Sequence, residues 1–286
     1  MTLQTWNSIQ DRRIQIVVPM SVFPKKAQFL WPMSKFINTA LGFGADGIRF
    51  QPMRNYAAWQ LFTGQLNNEN LNGILCTEQS FRSERWPWQW LFHKNKKLAL
   101  AAWLFMPYIS DKFEDSLWGV RKLTQVMGKS LPITLYPAKR GQHQPTQLGY
   151  PHMLIQIAPE MLIDLGITKY ADIPSILYNL KYTGVTLDLL HIRRSSDWLV
   201  LFEIILPYIQ EVHIPLLRPD FSDYSQLIAH FWSDVKNNTS TSSMGYMLTR
   251  LISEGWGGNI VLEGESANIG EDVVKLKKYL ASIERV

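Results

Sequence analysis

Eight short apolar segments recur along this chain of 286 residues and constrain its fold more than any other feature. Their length and apolar character favour buried β-strands. The predicted strands are residues 14–20, 46–52, 73–78, 132–136, 152–157, 184–188, 211–214 and 259–263, with helices predicted at 31–41, 56–66, 111–127, 159–165, 172–180, 197–208, 244–254 and 271–283. This alternation predicts one α/β domain over residues 1–286, a (β/α)8 TIM barrel. Because the connection after strand four has no clear helical pattern, a doubly wound sheet is the alternative fold.

Composition narrows the class of protein. Hydrophobic residues make up 46% of the chain, which is enough for a large core, and the formal charge is +5. The basic residues are scattered instead of clustered, so no nucleic-acid partner is expected. The single cysteine, Cys76, precludes an internal disulfide and suits a reducing compartment, so we expect a cytoplasmic protein. Residues 1–13 lack the apolar stretch of a signal peptide, and the apolar run 98–109 is too short to span a bilayer.

Two long excursions follow predicted strands and are expected as insertions at the C-terminal face of the barrel. The first, residues 81–110, contains Arg82, Arg85, Trp86, Trp88 and Trp90. These side chains fit a pocket wall, a sugar-stacking surface or a subunit contact, and equally the packing of an extra helix. The second, residues 219–243, ends in a run of Asn, Thr and Ser with little to bury, so we expect it to be the more mobile.

Polar side chains recur near the carboxyl ends of the predicted strands, on the face that points into a barrel. They are Arg49, Gln51, Glu78, Tyr136, Gln156, Asp188, His213, Glu263 and Glu265. Burying such groups costs several kcal/mol each unless they are paired, so they indicate either a paired network or a functional site. Asp188, His213 and Glu263 form a candidate ligand set for Mn²⁺, Mg²⁺ or Zn²⁺, to which Gln156 would add a neutral oxygen. The plain alternative is that Asp188 caps the next helix, with His191 in solvent.

With these residues the chain resembles the xylose-isomerase-like TIM barrels, the sugar (phosphate) isomerases and epimerases related to AP endonuclease IV. The matching pieces are GADGIR at 44–49, TLDLLH at 186–191, VHI at 212–214 and IVLE at 260–263. The resemblance implies a carbohydrate substrate and a metal set of Glu, Asp, His and Glu from strands five to eight, with Asp188, His213 and Glu263 in the last three places. It also implies that Glu263 moves the substrate proton. Arg49, His191 and Arg218 are the candidate substrate-binding residues.

Two departures from the family pattern bear on function. Gln156 stands where the first glutamate is expected, which leaves Glu263 as the one matched base. Arg49 stands where the family often has a glutamate at the end of strand two. An arginine there can neutralise Asp188, Glu78 or Glu263 without a metal, and it weakens divalent binding by repulsion. If its guanidinium lies at the cluster centre the metal is replaced, and if it turns toward Glu78 or the substrate the centre stays open.

Three functional hypotheses follow. The first is a metal-dependent sugar isomerase or epimerase. The second, a trinuclear phosphodiesterase like the DNA-repair relatives, is disfavoured because strands three and four end in Glu78 and Tyr136 and the chain contains no Asp-x-His pair. The third is a non-catalytic or metal-free barrel that binds a ligand or partner, which Arg49 and Gln156 favour. The sequence leaves the substrate, the metal and the oligomeric state open.

Overall fold

The computed structural model describes residues 13–19, 22–23, 33–50, 74–79, 133–135, 153–179, 183–216, 224–264 and 268–284. Their strands are β1 Gln15–Pro19, β2 Gly47–Phe50, β3 Ile74–Gln79, β4 Ile133–Leu135, β5 Met153–Gln156, β6 Gly184–Asp188, β7 Ile209–Pro215 and β8 Asn259–Glu263. They form a closed barrel in chain order, in which neighbours run parallel and β8 pairs with β1. The predicted (β/α)8 barrel is therefore confirmed, and the doubly wound alternative is wrong.

The described helices are α1 Met33–Gly42, α2 Pro159–Asp164, α3 Ile173–Asn179, α4 Trp198–Ile205, α5 Ser225–Asn237, α6 Ser243–Ser253 and α7 Ile269–Ile283. In α7 the apolar residues Ile269, Val273, Leu276 and Leu280 recur at helical spacing and are buried. Each such side chain contributes about 1.5–3 kcal/mol on burial, which holds the helix to the barrel. The predicted helices 56–66 and 111–127 and the excursion 81–110 lie outside the described residues. No helix of the described part is long and apolar enough to cross a membrane.

The hydrogen-bond register between β6 and β7 shifts by one residue. Val185 pairs with Ile209, but the next residue, Thr186, pairs with Glu211, so Gln210 is an extra residue in β7. Such a bulge reverses which face of the strand the following side chains occupy. Glu211 therefore points to the same side as Thr186 and Asp188, toward the barrel interior. A regular continuation from Ile209 would have placed it on the opposite face.

Two glycines leave space for this bulge. A Cβ at Gly184 would lie 2.6 Å from Nε2 of Gln210, whose side-chain amide donates to the Thr183 carbonyl at 2.9 Å. On the other side, a Cβ at Gly258 would lie 2.6 Å from the backbone oxygen of Gln210. The indole of Trp256 donates to the Ile209 carbonyl at 2.7 Å. The bulge is thus fixed by packing and by two hydrogen bonds.

The second excursion differs from the expectation for residues 219–243. Most of its described part is helix α5, and Trp232 in that helix donates to the carbonyl of Pro215 at the end of β7, at 3.0 Å. The polar run after α5 is held by the buried carboxylate of Asp234. That carboxylate accepts from the hydroxyls of Thr239 at 2.8 Å and Thr241 at 2.7 Å, among other donors. The run from 237 to 241 is exposed, in line with the expectation that it has little to bury, and its greater mobility stays a prediction.

The bulge gives a test of the fold. We expect Gly258→Ala to lower the free energy of unfolding by about 2–3 kcal/mol, because the new methyl group meets the Gln210 backbone and the Trp256 ring. Gly184→Ala should cost about 1 kcal/mol, since it meets only a side chain that can shift. Gly42→Ala, where a Cβ has open space, is the control and should cost nothing. Urea unfolding measures all three, and equal effects at Gly258 and Gly42 would contradict the assigned register.

Candidate functional site

Three predicted ligands converge at the carboxyl ends of neighbouring strands. Asp188 ends β6 and pairs in register with His213 on β7, and Glu263 ends β8 opposite Pro215. One ligand atom from each of Asp188, His213 and Glu263 lies within 4.8 Å of the other two. Two ligands of one ion with bonds of about 2.0–2.3 Å lie at most about 4.6 Å apart, so small side-chain movements bring the three into range.

Glu263 is the ligand candidate with freedom to move. Its side chain is 32% exposed, whereas those of Asp188 and His213 are buried. In this structure Glu263 Oε1 lies 2.6 Å from Nδ1 of His213, which is a hydrogen-bond distance. Two ligands of the same ion need a separation of about 3 Å or more, so metal binding requires Glu263 to turn away from the imidazole. Its exposure leaves room for that movement, at the cost of the contact with His213.

Asp188 is already fully hydrogen-bonded. Its carboxylate accepts from the backbone amides of Leu190 at 2.9 Å and His191 at 2.8 Å, from the amide of Gln156 at 2.8 Å, and from Nδ1 of His191. A carboxylate offers about four acceptor positions, so an incoming ion must displace a donor. The backbone contacts also make Asp188 the cap of the turn that follows β6. Asp188 therefore both caps this turn and belongs to the candidate ligand cluster.

Gln156 contacts Asp188 through its side-chain nitrogen, although we predicted a neutral oxygen ligand. The amide is 2% exposed and donates to Oδ2 of Asp188 at 2.8 Å. A glutamate in this place would set a second carboxylate at hydrogen-bond distance from the first. Two such anions repel each other strongly unless a cation lies between them. Gln156 therefore stabilises Asp188 without an ion.

Arg49 lies on the interior side of His213, in contact with a carboxylate that the sequence analysis missed. Its guanidinium is 1% exposed and reaches from β2 to β7, with Nη2 3.3 Å from Oε1 of Glu211 and Nη1 2.5 Å from Nε2 of His213. Glu263 is farther away, at 4.0 Å from Nη1. Of the three partners expected for Arg49, Glu263 is within reach, but Glu211 is nearer, and the side chain of Glu78 lies outside what the structure describes. The available signal was that Glu211 precedes His213 by two residues and shares its face.

The charges of the cluster balance without an ion. Burial and the nearby charge of Arg49 would each lower the pKa of His213. The carboxylates of Glu263 and Glu211 outweigh both and raise the pKa to about 9. Burial alone would raise the pKa of Asp188, yet its hydrogen bond to His191 and the nearby charges hold it below the usual value. The same contact, against the effect of burial, raises the pKa of His191. Three carboxyl groups thus face three basic groups: Asp188, Glu211 and Glu263 against Arg49, His191 and His213. A metal ion therefore has to displace protons from the cluster to bind.

The remaining predicted residues lie as follows. His191 is 33% exposed and contacts Asp188, beside the cluster. Glu78 belongs to β3, whereas Gln51, Tyr136, Arg218 and Glu265 lie outside the described residues. The two arginines after β6 stack on aromatic rings: Arg193 on Trp198 at 4.6 Å and Arg194 on Tyr224 at 5.6 Å. The substrate-binding roles of His191 and Arg218 stay predictions.

Comparisons with known proteins identify the fold. No protein-family model matches the chain. No curated protein matches its sequence. The chain is similar to a solved D-tagatose 3-epimerase-like protein, with 10% identity over 95% of this chain and 98% of that chain and a TM-score of 0.52. It is also similar to the solved AsfvAP:AG structure, with 9% identity over 95% of this chain and 99% of that chain and a TM-score of 0.51. For a xylose isomerase domain protein from Alicyclobacillus acidocaldarius subsp. acidocaldarius, the identity is 12% over 95% of this chain and 99% of that chain, and the TM-score is 0.49. At this identity the first two similarities establish a shared fold and nothing finer.

The buried ion pair gives the test of this site. Arg49→Met and Glu211→Gln should each lower the free energy of unfolding by about 3–5 kcal/mol, because each removes one charge from a buried, charge-balanced cluster. The double variant should cost clearly less than the sum, since neither charge remains. The exposed pair of Arg250, in α6, and Glu254, just after its end, is the matched control, for which the same substitutions should cost less than about 1 kcal/mol. Additive losses at Arg49 and Glu211 would show that the two residues do not interact.

Proposed function

We propose that the protein is a divergent sugar isomerase or epimerase that uses a divalent metal to move a proton beside a sugar carbonyl. The observation that carries this proposal is the cluster of Asp188, His213 and Glu263, whose ligand atoms lie within 4.8 Å of one another. Active sites of TIM barrels lie at the carboxyl ends of the strands, where this cluster is. The fold shared with a D-tagatose 3-epimerase-like protein supports carbohydrate as the substrate class.

The donor set fits a metal ion. Two carboxylates and an imidazole suit Mn²⁺, Mg²⁺ or Zn²⁺, and Asp188 and Glu263 come from strands on either side of His213. When bound, such an ion polarises the substrate carbonyl and makes the neighbouring C–H more acidic. Asp188 is oriented for this task by the turn after β6 and by Gln156.

Glu263 is the group assigned to the proton. Its side chain is 32% exposed, so its carboxylate reaches a substrate at the mouth of the barrel. The 33% exposure of His191, beside Asp188, supports its role in binding a hydroxyl of the same substrate. Arg49 is 1% exposed and engaged with Glu211 and His213, which supports a structural place for it instead of substrate contact. Since the position of the second base holds Gln156, a one-base transfer between adjacent carbons is favoured over epimerisation by two bases.

The second candidate function is a metal-free barrel that binds a ligand or a partner. It is favoured by Asp188, which has a donor for each of about four acceptor positions. It is also favoured by the guanidinium of Arg49 beside His213, which repels a divalent ion. Under this reading the cluster stabilises the barrel, and no proton transfer takes place.

Proton transfer is tested in deuterium oxide. We expect the Mn²⁺-loaded protein to exchange the hydrogen next to the carbonyl of at least one member of a panel of ketopentoses and ketohexoses, measured by NMR. Glu263→Gln should slow this exchange by about 100-fold or more, because it removes the base. Glu203→Gln, on the exposed face of α4, is the control and should leave the rate unchanged. Absence of exchange across the panel in metal-loaded protein would exclude an isomerase or epimerase for these substrates.

Gln156→Glu separates the two candidate functions. In a metal enzyme the added carboxylate should tighten Mn²⁺ binding by about tenfold or more, since an anionic ligand joins the set. In a metal-free barrel it should only lower stability at neutral pH, because it faces Asp188. Calorimetric titration with Mn²⁺ and urea unfolding with and without Mn²⁺ measure both effects. Gln226→Glu, on the exposed surface of α5, is the matched control and should change neither.

A further inference from the structure

The turn after β6 carries two consecutive arginines with different surroundings. The guanidinium of Arg193 lies 4.6 Å from the ring centroid of Trp198, the first residue of α4. That ring meets Tyr246 of α6 edge-on, with the centroids 6.4 Å apart, so Arg193 belongs to the contact between α4 and α6. The guanidinium of Arg194 instead lies 5.6 Å from the ring centroid of Tyr224, directly before α5. Arg194 is therefore placed between the two segments that follow β6 and β7.

The backbone that carries Arg194 is held in place by its neighbours. It belongs to a short 3-10 turn, in which the Arg194 amide donates to the His191 carbonyl at 3.1 Å. Ile192 in this turn is 0% exposed, and the hydroxyl of Ser195 just after it lies 3.0 Å from that of Tyr170. A ligand that binds a fixed group loses less free energy to ordering than one that binds a mobile group. The turn therefore holds Arg194 in a defined place for a ligand.

Arg194 lies beside the candidate ligand cluster. His191, three residues before it, contacts Asp188. Burial and the charge of Arg194 each lower the pKa of His191, whereas Asp188 and Glu263 raise it and outweigh them. Because charges act on one another in salt solution over about 10 Å, the guanidinium and both carboxylates lie around the same imidazole. A substrate that contacts Glu263 at the mouth of the barrel can therefore reach Arg194 with its other end.

The chemistry of Arg194 suits an anion. The residue is exposed, so a ligand in solvent has access to it. A guanidinium stays charged at physiological pH and carries five N–H donors in a planar fork that matches two oxygens of a phosphate or a carboxylate. The ring of Tyr224 stabilises the cation through its face, while the N–H groups that bind an anion lie at the edge of the guanidinium.

We propose that Arg194, supported by Tyr224, binds an anionic group of the substrate, a phosphate or a carboxylate at the end of the sugar remote from its carbonyl. The substrate class is then a sugar phosphate or a sugar acid instead of a neutral sugar. This inference rests on the proposed function, because it places the carbonyl end of the substrate at Glu263. The arrangement also separates the negative charge of the substrate from the carboxylates of Asp188 and Glu263.

Ligand binding measured by NMR titration tests this subsite. The probes are a ketopentose phosphate with its free ketopentose, and a hexuronate with its neutral hexose. We expect one of the two anions to bind about tenfold or more tightly than its neutral counterpart, because an arginine binds an anion through charge-assisted hydrogen bonds. This preference should disappear in Arg194→Met and be kept in part by Arg194→Lys, which retains the charge but not the fork. The pair that shows the preference identifies the anion as phosphate or carboxylate.

The controls use the same ratio of affinities, which a general loss of stability does not change because both ligands bind the same protein. Arg193→Met, in the same turn, and Arg250→Met, on α6, should keep the preference for the anion. Equal binding of the charged and neutral ligands to the unsubstituted protein, or no binding of either anion, would overturn the proposal. So would the same loss of preference in Arg193→Met as in Arg194→Met.

The outcome is separable from that of the proposed function. A preference for the anion that depends on Arg194, in a protein that exchanges no substrate hydrogen in deuterium oxide, supports the subsite and contradicts the isomerase. Hydrogen exchange without any such preference supports the isomerase and contradicts the subsite.

Discussion

The candidate site depends on one extra residue in β7. Because Gln210 is an extra residue in the register between β6 and β7, the strand changes face between Ile209 and Glu211. Without that change, Glu211 and His213 would face the surrounding helices, where unpaired polar groups cost several kcal/mol each. With it, both residues point into the barrel and meet Arg49 from β2. Gly184 and Gly258 leave space for the extra residue, so two positions without a side chain determine where the charges lie.

The sequence predicted most where local pattern is sufficient. Residues 184–188 and 259–263 were predicted as strands and are the strands β6 and β8 as observed, because each is a short apolar run with a clear end. The inward position of Asp188 followed from the two-residue period of β6. Helix α5 was missed although its apolar residues Ile228, Phe231, Trp232 and Val235 recur at helical spacing, since the polar residues around them were read as a loop.

The sequence could not predict contacts that depend on distant parts of the chain. The predicted strand seven began at Glu211, so the bulge at Gln210 lay outside it and the role of Glu211 went unnoticed. Arg49 and His213 are 164 residues apart, and nothing local to either residue indicates that they touch. The partners of Arg49 are set by barrel closure, which brings β2 and β7 to face each other across the interior.

A metal ion and the protons of the cluster compete for the same atoms. Two unit charges about 4 Å apart interact by about 4 kcal/mol at an effective dielectric constant of about 20, so Arg49 alone, 4.0 Å from Glu263, would oppose a divalent ion strongly. Glu211 lies closer to Arg49 than Glu263 does and offsets most of that repulsion. The difference from the family pattern at Arg49 is thus compensated within the barrel by Glu211. The difference at Gln156, where the family has a glutamate ligand, is not compensated. It follows that the fourth ligand position, more than the arginine, limits how tightly this cluster can hold an ion.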